Sequence, residues 1–309
     1  MLTTVSLNPS VDRRYIVRNF DKGEIFRSTQ YEATAGGKAL NAARVATSLG
    51  EVVFTTGLIG GKSGEFIQEQ LSQLNIKHDF LKINGETRSC IAIVSDQEDQ
   101  TEILESGPNV SKEEVERFLR HYEGILNLSS IIIASGSILN GMPKTIYYDM
   151  IKMARKKNVR FILDTSGNPL QEGIKAIPYL IKPNKEELEA IIKKPLSSDE
   201  EIILAANTIA QTGIEYVVIS MGGKGSIIIN NNKTYRVHVP NINVKNPVGS
   251  GDAMVAGFAT SFARNYNVMD TIKFATACGT ANAIEERTGS IDLMQVELLI
   301  PKITIEEIN

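Results

Sequence analysis

The chain has 309 residues, of which 42% are hydrophobic and 22% charged, an ordinary composition for a globular protein that can bury a substantial core. Its formal net charge of −3 provides no basic field for nucleic acid, and no apolar run approaches the roughly 20 residues that span a bilayer, so neither nucleic acid nor a membrane is an expected partner. Cys90 and Cys278 have no zinc or redox spacing, and the N-terminus resembles a strand more than a signal peptide, so we expect a cytoplasmic location.

Strand-like and helix-like segments alternate along most of the chain. Short apolar runs predict buried strands at 2–7, 52–58, 131–134, 160–164 and 216–220. Amphipathic patterns predict helices at 65–74, 111–126, 143–157 and 200–211. This β–α alternation predicts an α/β fold with a doubly wound, mostly parallel sheet flanked by helices, built as one domain over 1–309.

Four other segments alternate apolar with polar residues, as half-exposed strands do, at 13–17, 27–34, 89–95 and 101–105. An acidic turn at 96–100 joins the last two. We expect these segments to form a small β-sheet lid, with strands from about 11–34 and 87–106, on one edge of the large sheet. Ligands of doubly wound sheets bind beyond the carboxyl ends of the strands, which is where the glycine clusters of this chain lie.

One such cluster is Asn246-Pro247-Val248-Gly249-Ser250-Gly251-Asp252, which precedes a helical pattern over 253–263. Gly249 and Gly251 permit a tight turn, and the first amides of the helix then lack partners and attract an anion such as phosphate. A carboxylate at the same place, that of Asp252, indicates phosphoryl transfer to a hydroxyl. The alternative is that the glycines form only a turn and that Asp252 is only a first-turn helix residue.

A second motif, Ser220-Met221-Gly222-Gly223-Lys224-Gly225, follows a buried strand. Its hydroxyl and backbone amides are suited to nucleotide phosphates and ribose, although a plain glycine turn explains it equally well. The pair Asn184 and Glu187 lies at a helix start and is suited to hydrated Mg²⁺ carried in with ATP. The alternative is an N-cap followed by first-turn acids.

A further cluster, Gly36-Gly37-Lys38 before Asn41, allows the backbone to approach a polyol closely, with an ammonium and an amide nearby. By contrast, Gly60-Gly61-Lys62-Ser63 only imitates the end of a Walker A loop, because Thr56 stands where the leading glycine is needed. No G-x-G-x-x-G follows the first strand either. A P-loop enzyme and a nicotinamide dehydrogenase are therefore disfavoured.

In this order and spacing the motifs resemble those of the PfkB (ribokinase-like) carbohydrate kinase family over essentially the full chain. The opening segment from Ser6 to Asp12 and the Asn246-Pro247 pair resemble its phosphosugar branch. Many relatives carry Asp-Thr in place of that pair, which leaves activation by a monovalent cation open. The resemblance implies a ribokinase-like fold, ATP and Mg²⁺ as cofactors, and a homodimer formed through the β-lid.

The resemblance also implies roles for individual residues. Asp252 would be the base that faces the acceptor hydroxyl, although a carboxylate at a helix N-terminus is held ionised and is then a weak base. The anion hole would consist of the amides of Gly249, Ser250 and Gly251. The nucleotide would contact Asn184, Ser220, Gly222, Gly223, Gly225, Gly249 and Gly251. Glu187 would hold Mg²⁺ through water.

For the sugar, the resemblance points to Asp12, Gly36, Gly37 and Asn41. The phosphate already present on the sugar would be bound by Lys38, Arg88 and Ser137, and by Arg27 reaching across the dimer. A kinase of uncharged sugars would not need this cationic set, so we expect a ketohexose monophosphate as the substrate. Tagatose 6-phosphate is preferred over fructose 1-phosphate, and each would yield a 1,6-bisphosphate.

Two alternatives remain open. One is a kinase of an unphosphorylated sugar or a nucleoside on the same fold. The other is a non-catalytic regulator that binds sugar and nucleotide, although a pure binder has no use for an acid beside an anion hole. The adenine contacts are not assigned, since the helix around 274–282 is equally well explained as a wall of the nucleotide site or as ordinary core.

Overall fold

A computed structural model describes residues 1–18, 20–28, 30–95 and 100–308. The strands, in chain order, are β1 (Leu2–Ser6), β2 (Ser10–Val17), β3 (Gln30–Gly36), β4 (Val53–Ile59), β5 (Lys77–Lys82), β6 (Arg88–Ser95), β7 (Gln100–Leu104), β8 (Ile131–Ser135), β9 (Arg160–Asp164), β10 (Leu180–Ile181), β11 (Tyr216–Ser220), β12 (Ser226–Asn230), β13 (Lys233–His238) and β14 (Thr304–Ile308). The helices are α1 (Lys38–Ser48), α2 (Gly61–Gln73), α3 (Lys112–Leu126), α4 (Ile146–Lys156), α5 (Gly167–Ile174), α6 (Lys185–Ile192), α7 (Asp199–Ala210), α8 (Ser250–Ala263), α9 (Val268–Ile284) and α10 (Leu293–Leu299). Short 3-10 helices lie at Gly222–Lys224 and Ile300–Lys302.

The large sheet has ten strands in the order β14-β13-β12-β11-β10-β9-β8-β1-β4-β5. Neighbours from β11 to β5 pair in parallel, whereas β12, β13 and β14 form an antiparallel edge. The predicted doubly wound, mostly parallel α/β sheet is confirmed. Its parallel strands bring their carboxyl ends to one edge, which positions the site.

Helices cover both faces of this sheet. Ile131 and Ile133 of β8 belong to one apolar cluster with α1, α8 and α9, while Ile132 and Ala134 belong to a second cluster with α3, α4 and α7. Successive side chains of a strand point to opposite faces, so a continuous apolar run such as β8 is the sequence signature of a sheet buried on both sides.

The four lid strands form a separate sheet in the order β3-β2-β6-β7, with β2 and β6 parallel and the outer pairs antiparallel. The predicted small sheet is confirmed. Its β3 begins at Gln30, so Arg27 lies in the exposed segment before that strand and not within it as predicted. The predicted turn at 96–100 lies outside the described residues except for Gln100, which begins β7.

Several elements differ from the sequence predictions. Helices α5 and α10 and strand β14 were not predicted, α4 begins three residues later than expected, and β10 has only two residues. The β14 sequence is rich in polar and acidic residues, and it becomes a strand because it pairs with β13 at the sheet edge. Within the described residues, no helix is long and apolar enough to cross a membrane.

Candidate active site

A cleft of about 520 Å³ lies between the lid and the carboxyl edge of the large sheet. It brings together most of the residues predicted for catalysis and for the sugar, from segments up to 240 positions apart. The predicted residues that line it are Asp12, Gly37, Lys38, Asn41, Arg88, Ser137, Gly249, Gly251 and Asp252. Gly36 lies immediately beside it, where a Cβ would collide with the carboxylate of Asp12.

The turn before α8 has the geometry that the sequence predicted. Gly249 is the N-cap of α8 and has φ 86°, a left-handed conformation that favours glycine. The amide of Ser250 donates to the Pro247 carbonyl at 3.3 Å, so it differs from the free donor that we predicted. The amides of Gly249, Gly251 and Asp252 have no acceptor in the described part of the chain. Among the described residues, the unpaired amides of this turn are therefore those of Gly249, Gly251 and Asp252, and Ser250 drops out of the predicted set.

Side-chain amides hold this turn in place. Asn246 donates to the hydroxyl of Thr288 at 3.2 Å and accepts from the amide of Val248 at 3.0 Å. Asn282 of α9 donates to the Val248 carbonyl at 2.9 Å and accepts from the amide of Gly289 at 2.9 Å. Asn282 near the end of α9 and Thr288 in the loop after it thus fix the turn before α8. The sequence did not reveal this contribution.

Asp252 is buried, with 5% of its surface exposed. One carboxylate oxygen, Oδ2, accepts from Nδ2 of Asn41 at 2.7 Å, across 211 residues of sequence. Burial raises the pKa of Asp252 to about 6, and the nearby charge of Asp164 adds to this effect, while Lys38, Asn41 and Lys182 oppose it. The carboxylate of Asp252 is therefore a stronger base than its place at a helix N-terminus led us to expect.

Asp164 at the end of β9 lies between two ammonium groups. Its Oδ1 is 3.6 Å from Nζ of Lys38 and 3.5 Å from Nζ of Lys182. Burial alone would raise the pKa of Asp164, but Lys182 and Lys38 outweigh it and hold the pKa below its ordinary value. A Cβ on Gly251 would come within 3.0 Å of the Lys182 ammonium, so this cation lies beside the unpaired amide of Gly251.

The prediction did not include Asp164 or Lys182. Their sequence signal was position, since Asp164 is the last residue of β9, Lys182 follows directly on β10, and the carboxyl ends of these strands meet at this edge of the sheet. Lys182 is also the first residue of the segment Lys182-Pro183-Asn184-Lys185-Glu186-Glu187, in which only Asn184 and Glu187 were predicted to contact a ligand. An acid buried between two lysines is a fixed set of charges, and it places positive charge close to where an anion would bind.

The lid end of the cleft carries Asp12 and Arg88. Asp12 accepts from Ser10 at 2.6 Å, and burial raises its pKa against the opposing effect of Ser10 and two arginines. Arg88 donates from Nε to the Asn8 carbonyl at 3.2 Å and from Nη1 to the Glu105 carbonyl at 2.9 Å. Its guanidinium thus joins the body to the lid while lining the cleft.

Four arginines differ from the sequence predictions for this cleft. The arginines that line the cleft but were not predicted are Arg13, Arg14 and Arg287. Arg27 is exposed and does not line the cleft of its own chain. Its predicted role required a second subunit and stays a prediction.

Of the residues predicted to contact the nucleotide, Gly249 and Gly251 line this cleft, whereas the motifs that contain Asn184 and Ser220 lie outside it and next to each other. Asn184 and Ser220 form a parallel bridge, and the amide of Ser220 donates to the Pro183 carbonyl at 3.1 Å. A Cβ at Gly222 or Gly223 would meet nothing within 4 Å, so the backbone there is open to a ligand. At Gly225, by contrast, a Cβ would clash with the Val237 carbonyl, which makes this glycine a requirement of the turn.

Asn184 and Glu187 form a capping box at the start of α6. The side chain of Asn184 accepts from the amide of Glu187 at 2.7 Å, and the Glu187 carboxylate accepts from the amide of Asn184 at 2.9 Å. The N-cap interpretation is thus confirmed as geometry. Within the described ranges, no group of three or more His, Cys, Asp or Glu side chains could hold a metal ion. A half-exposed carboxylate such as Glu187 fits a Mg²⁺ that keeps its waters and phosphate ligands.

The Walker-like segment cannot bind phosphate as it stands. The carboxylate of Glu86 accepts from the amide of Lys62 at 3.1 Å and from the amide of Ser63 at 2.5 Å. The first amides of α2 are therefore occupied by a side chain of the protein itself.

The site and fold define a phosphotransferase that acts on an alcohol group. The chain belongs to the pfkB family of carbohydrate kinases, whose sequence model matches residues 5–293. It is 37% identical over 311 aligned residues to a tagatose-6-phosphate kinase from Staphylococcus epidermidis, covering 100% of both chains.

Solved structures agree. A protein from Thermotoga maritima described as a possible 1-phosphofructokinase superposes with a TM-score of 0.92 and 25% identity, over 100% of this chain and 99% of that one. Phosphofructokinase-2 from Escherichia coli, in complex with substrates and products, gives a TM-score of 0.90 and 25% identity over 97% and 98% of the two chains. The ribokinase-like fold and the kinase class are confirmed.

Proposed function

We propose that the whole chain acts as one ATP-dependent kinase that phosphorylates the free primary hydroxyl of a ketohexose monophosphate, with tagatose 6-phosphate as the preferred substrate. The observation that carries the proposal is the buried carboxylate of Asp252, which has a pKa of about 6 and lies beside unpaired helix amides in a cleft that also contains Arg88. The full-length similarity to a tagatose-6-phosphate kinase supports this choice of sugar.

In the proposed reaction the sugar hydroxyl oxygen attacks the γ-phosphorus of ATP, and the bond from that phosphorus to the bridging oxygen of ADP breaks. The hydroxyl proton passes to the carboxylate of Asp252. The amides of Gly251 and Asp252 and the ammonium of Lys182 stabilise negative charge on the moving phosphoryl group. The transition state of such transfers is loose, so positioning and charge stabilisation are the main tasks of the protein.

The nucleotide would extend from this turn toward the second motif. Ser220 and Asn184 are bridged to each other, and together with the open backbone of Gly222 and Gly223 they provide polar groups suited to phosphates and ribose. Mg²⁺ bound to the phosphates would neutralise part of their charge, with Glu187 holding one of its waters.

The phosphate already on the sugar would bind at the cationic end of the cleft, near Arg88, Lys38 and Ser137. Arg88 has one nitrogen, Nη2, that is not used in the two carbonyl contacts described above. We expect Arg88→Ala to lower kcat/KM for the sugar phosphate about 10- to 100-fold, since hydrogen bonds to charged groups contribute roughly 1.5–3 kcal/mol. The measurement is steady-state kinetics with tagatose 6-phosphate and with free tagatose.

A matched control is Arg155→Ala, since Arg155 also donates to backbone carbonyls, at Ala176 and Ile177, but lies away from the cleft. It should leave both rates unchanged. Equal losses on the phosphorylated and the free sugar in Arg88→Ala would mean that Arg88 only supports the lid. In that case a kinase of an unphosphorylated sugar becomes the better proposal.

The substrate is tested directly by a coupled assay of ADP release with tagatose 6-phosphate, fructose 1-phosphate, fructose 6-phosphate, free ketohexoses and nucleosides. We expect the highest kcat/KM with tagatose 6-phosphate. Inactivity on every ketohexose phosphate would end the phosphosugar proposal. Binding of sugar and nucleotide without any ADP release would favour the non-catalytic regulator instead.

The activity should depend on pH through Asp252. Its carboxylate must be ionised to accept a proton, so kcat/KM should be maximal above about pH 6 and fall as the pH drops through that value. The second ionisation of a sugar phosphate, with a pKa near 6, falls in the same range. The control is the pH profile of the residual activity of Asp252→Asn. A fall in kcat/KM at low pH that comes from the substrate phosphate would persist in that variant, whereas a fall that comes from Asp252 would disappear.

We also propose a homodimer formed through the lid. Strand β7 of this four-stranded sheet leaves Ile103 (55% exposed) and Leu104 (63%) open, and Ile25 (90%) is exposed in the segment between β2 and β3. Large apolar side chains left exposed on a small open sheet are candidates for a protein interface. Sedimentation velocity should give a dimer, and Ile103→Asp should shift it toward monomer. A wild-type monomer at micromolar concentration would contradict this proposal and, with it, the predicted reach of Arg27 across the dimer.

A further inference from the structure

Arg44 lies in α1, one helical turn after Asn41 and on the same side of the helix. Its guanidinium donates to Oδ1 of Asn41 at 2.5 Å, to the carbonyl of Thr288 at 3.1 Å and to the carbonyl of Ala35. The sequence did not single out this residue, and the mechanism described above does not use it. It contacts Asn41, which in turn donates to the carboxylate of Asp252.

The chemistry of these groups permits only one arrangement. A guanidinium can only donate hydrogen bonds, and an ionised carboxylate can only accept them. The amide of Asn41 lies between the two and has one accepting end and one donating end. Because Arg44 requires the oxygen, the NH₂ group must face Asp252, where it donates at 2.7 Å.

We propose that Arg44 is a positioning residue, which orients the amide of Asn41 so that its NH₂ group holds the carboxylate of Asp252 in place for proton transfer. This inference rests on the proposed function of Asp252 as the base. It gives Asn41 a task toward the carboxylate in addition to any contact with the sugar.

Neighbouring acidic groups favour the charged form of Arg44, and a glycine leaves room for its contact with Asn41. Burial lowers the pKa of Arg44, and the nearby charges of Asp12, Asp252 and Glu32 counteract that effect. A Cβ at Gly289 would lie 3.0 Å from Nη2 of Arg44 and 2.9 Å from Cα of Asn41. The chain can therefore pass close to this pair only because residue 289 is glycine.

The test compares Arg44→Met, Arg44→Gln and Arg44→Lys. Methionine removes the donors, glutamine can present either end of its amide to Asn41, and lysine remains a pure donor. We expect Arg44→Met and Arg44→Gln to lose about 100-fold in kcat, with little change in the KM for the sugar, because a small misplacement of a reacting group can cost this much. The acid limb of the pH profile, where kcat/KM falls as the pH drops, should also move to higher pH in these two variants. The reason is that a less well held carboxylate of Asp252 binds its proton more tightly. Arg44→Lys should keep the limb of the wild type.

The charges that face Asp252 from other elements, those of Lys38, Lys182 and Asp164, are unchanged in these variants, so they cannot cause such a shift. Loss of the Arg44 charge alone could cause one. In an Asn41→Ala background, Arg44→Met should therefore move the limb no further if Arg44 acts through Asn41. An equal shift in both backgrounds would overturn the proposal in favour of a simple effect of charge.

Arg264 offers a matched structural control, because it joins the C-terminal ends of α1 and α8, whereas Asn41 and Asp252 join the N-terminal ends of these helices. At the end of α8 it donates to Glu51 at 2.8 Å and to the Leu49 carbonyl, just beyond α1. Arg264→Met should lower thermal stability without moving the pH profile. A folded Arg44→Met or Arg44→Gln that loses thermal stability but keeps the pH profile, as expected of Arg264→Met, would also overturn the inference. If Arg44→Met does not fold, Arg44→Gln takes its place in the test. Full activity of Asp252→Asn, by contrast, would defeat the proposed base itself.

Discussion

Asp252→Asn should lower kcat by about 10²- to 10⁴-fold, the range that a positioned general base contributes. The substitution keeps the size of the side chain, and its oxygen can still accept from Asn41, so the cleft should keep its shape. We therefore expect the KM values for sugar and ATP to change little. Steady-state kinetics measured together with nucleotide affinity would check this, and turnover at the wild-type rate would refute the role of Asp252.

The same variant should be more stable than the wild type at neutral pH. The folded state raises the pKa of Asp252 from its ordinary value of 3.8 to about 6, so ionisation of the buried carboxylate destabilises the fold. This destabilisation of the wild type is absent below about pH 4, develops as the pH rises toward 6 and is complete above pH 6. By linkage it amounts to roughly 1–3 kcal/mol at pH 7. Urea unfolding at pH 4 and pH 7 should show the gain at pH 7 only, a result that a merely damaged variant would not give.

Gly249→Ala should lower kcat by about 10²- to 10³-fold, the typical cost of losing one anion-hole donor. Residue 249 has φ 86°, and an added Cβ would lie 2.7 Å from Cγ2 of Thr288 and 3.1 Å from the amide nitrogen of Gly289. The turn must then shift, and the amides of Gly251 and Asp252 shift with it. Kinetics with saturating ATP would measure the effect.

Gly50→Ala is the matched control for that substitution. Gly50 has a similar φ of 88°, but a Cβ there would meet nothing within 4 Å, and the residue lies after α1, away from the cleft. It should cost about 1–2 kcal/mol of stability for the left-handed conformation while leaving kcat unchanged. Similar kinetic losses in both variants would mean that the turn before α8 has no special part in the reaction.

The prospective substrate contacts are already held by other groups of the chain. Asn41 and Asp12 are fixed by hydrogen bonds, Lys38 is paired with Asp164, and Ser137 accepts from Nδ2 of Asn8 at 3.1 Å. Preorganised groups cost less to order when a ligand binds. We therefore expect the sugar phosphate to bind with little rearrangement of these side chains.

The sequence by itself determined the layers of the fold, the lid and the glycine turn of the site. Continuous apolar runs such as β8, alternating segments such as β6 and the glycines around Ser250 are properties of neighbouring residues, and local periodicity and turn chemistry depend on neighbours. The same local reasoning predicted the capping-box residues Asn184 and Glu187.

Only the tertiary structure decided the electrostatics of the site. The raised pKa of Asp252, the position of Asp164 between Lys38 and Lys182, and the contact from Arg44 through Asn41 all join segments far apart in the chain. Strand β14 and the occupation of the Walker-like loop by Glu86 have the same origin. Burial and charge act through space, so the strength of a base is set by whichever distant groups the fold packs around it.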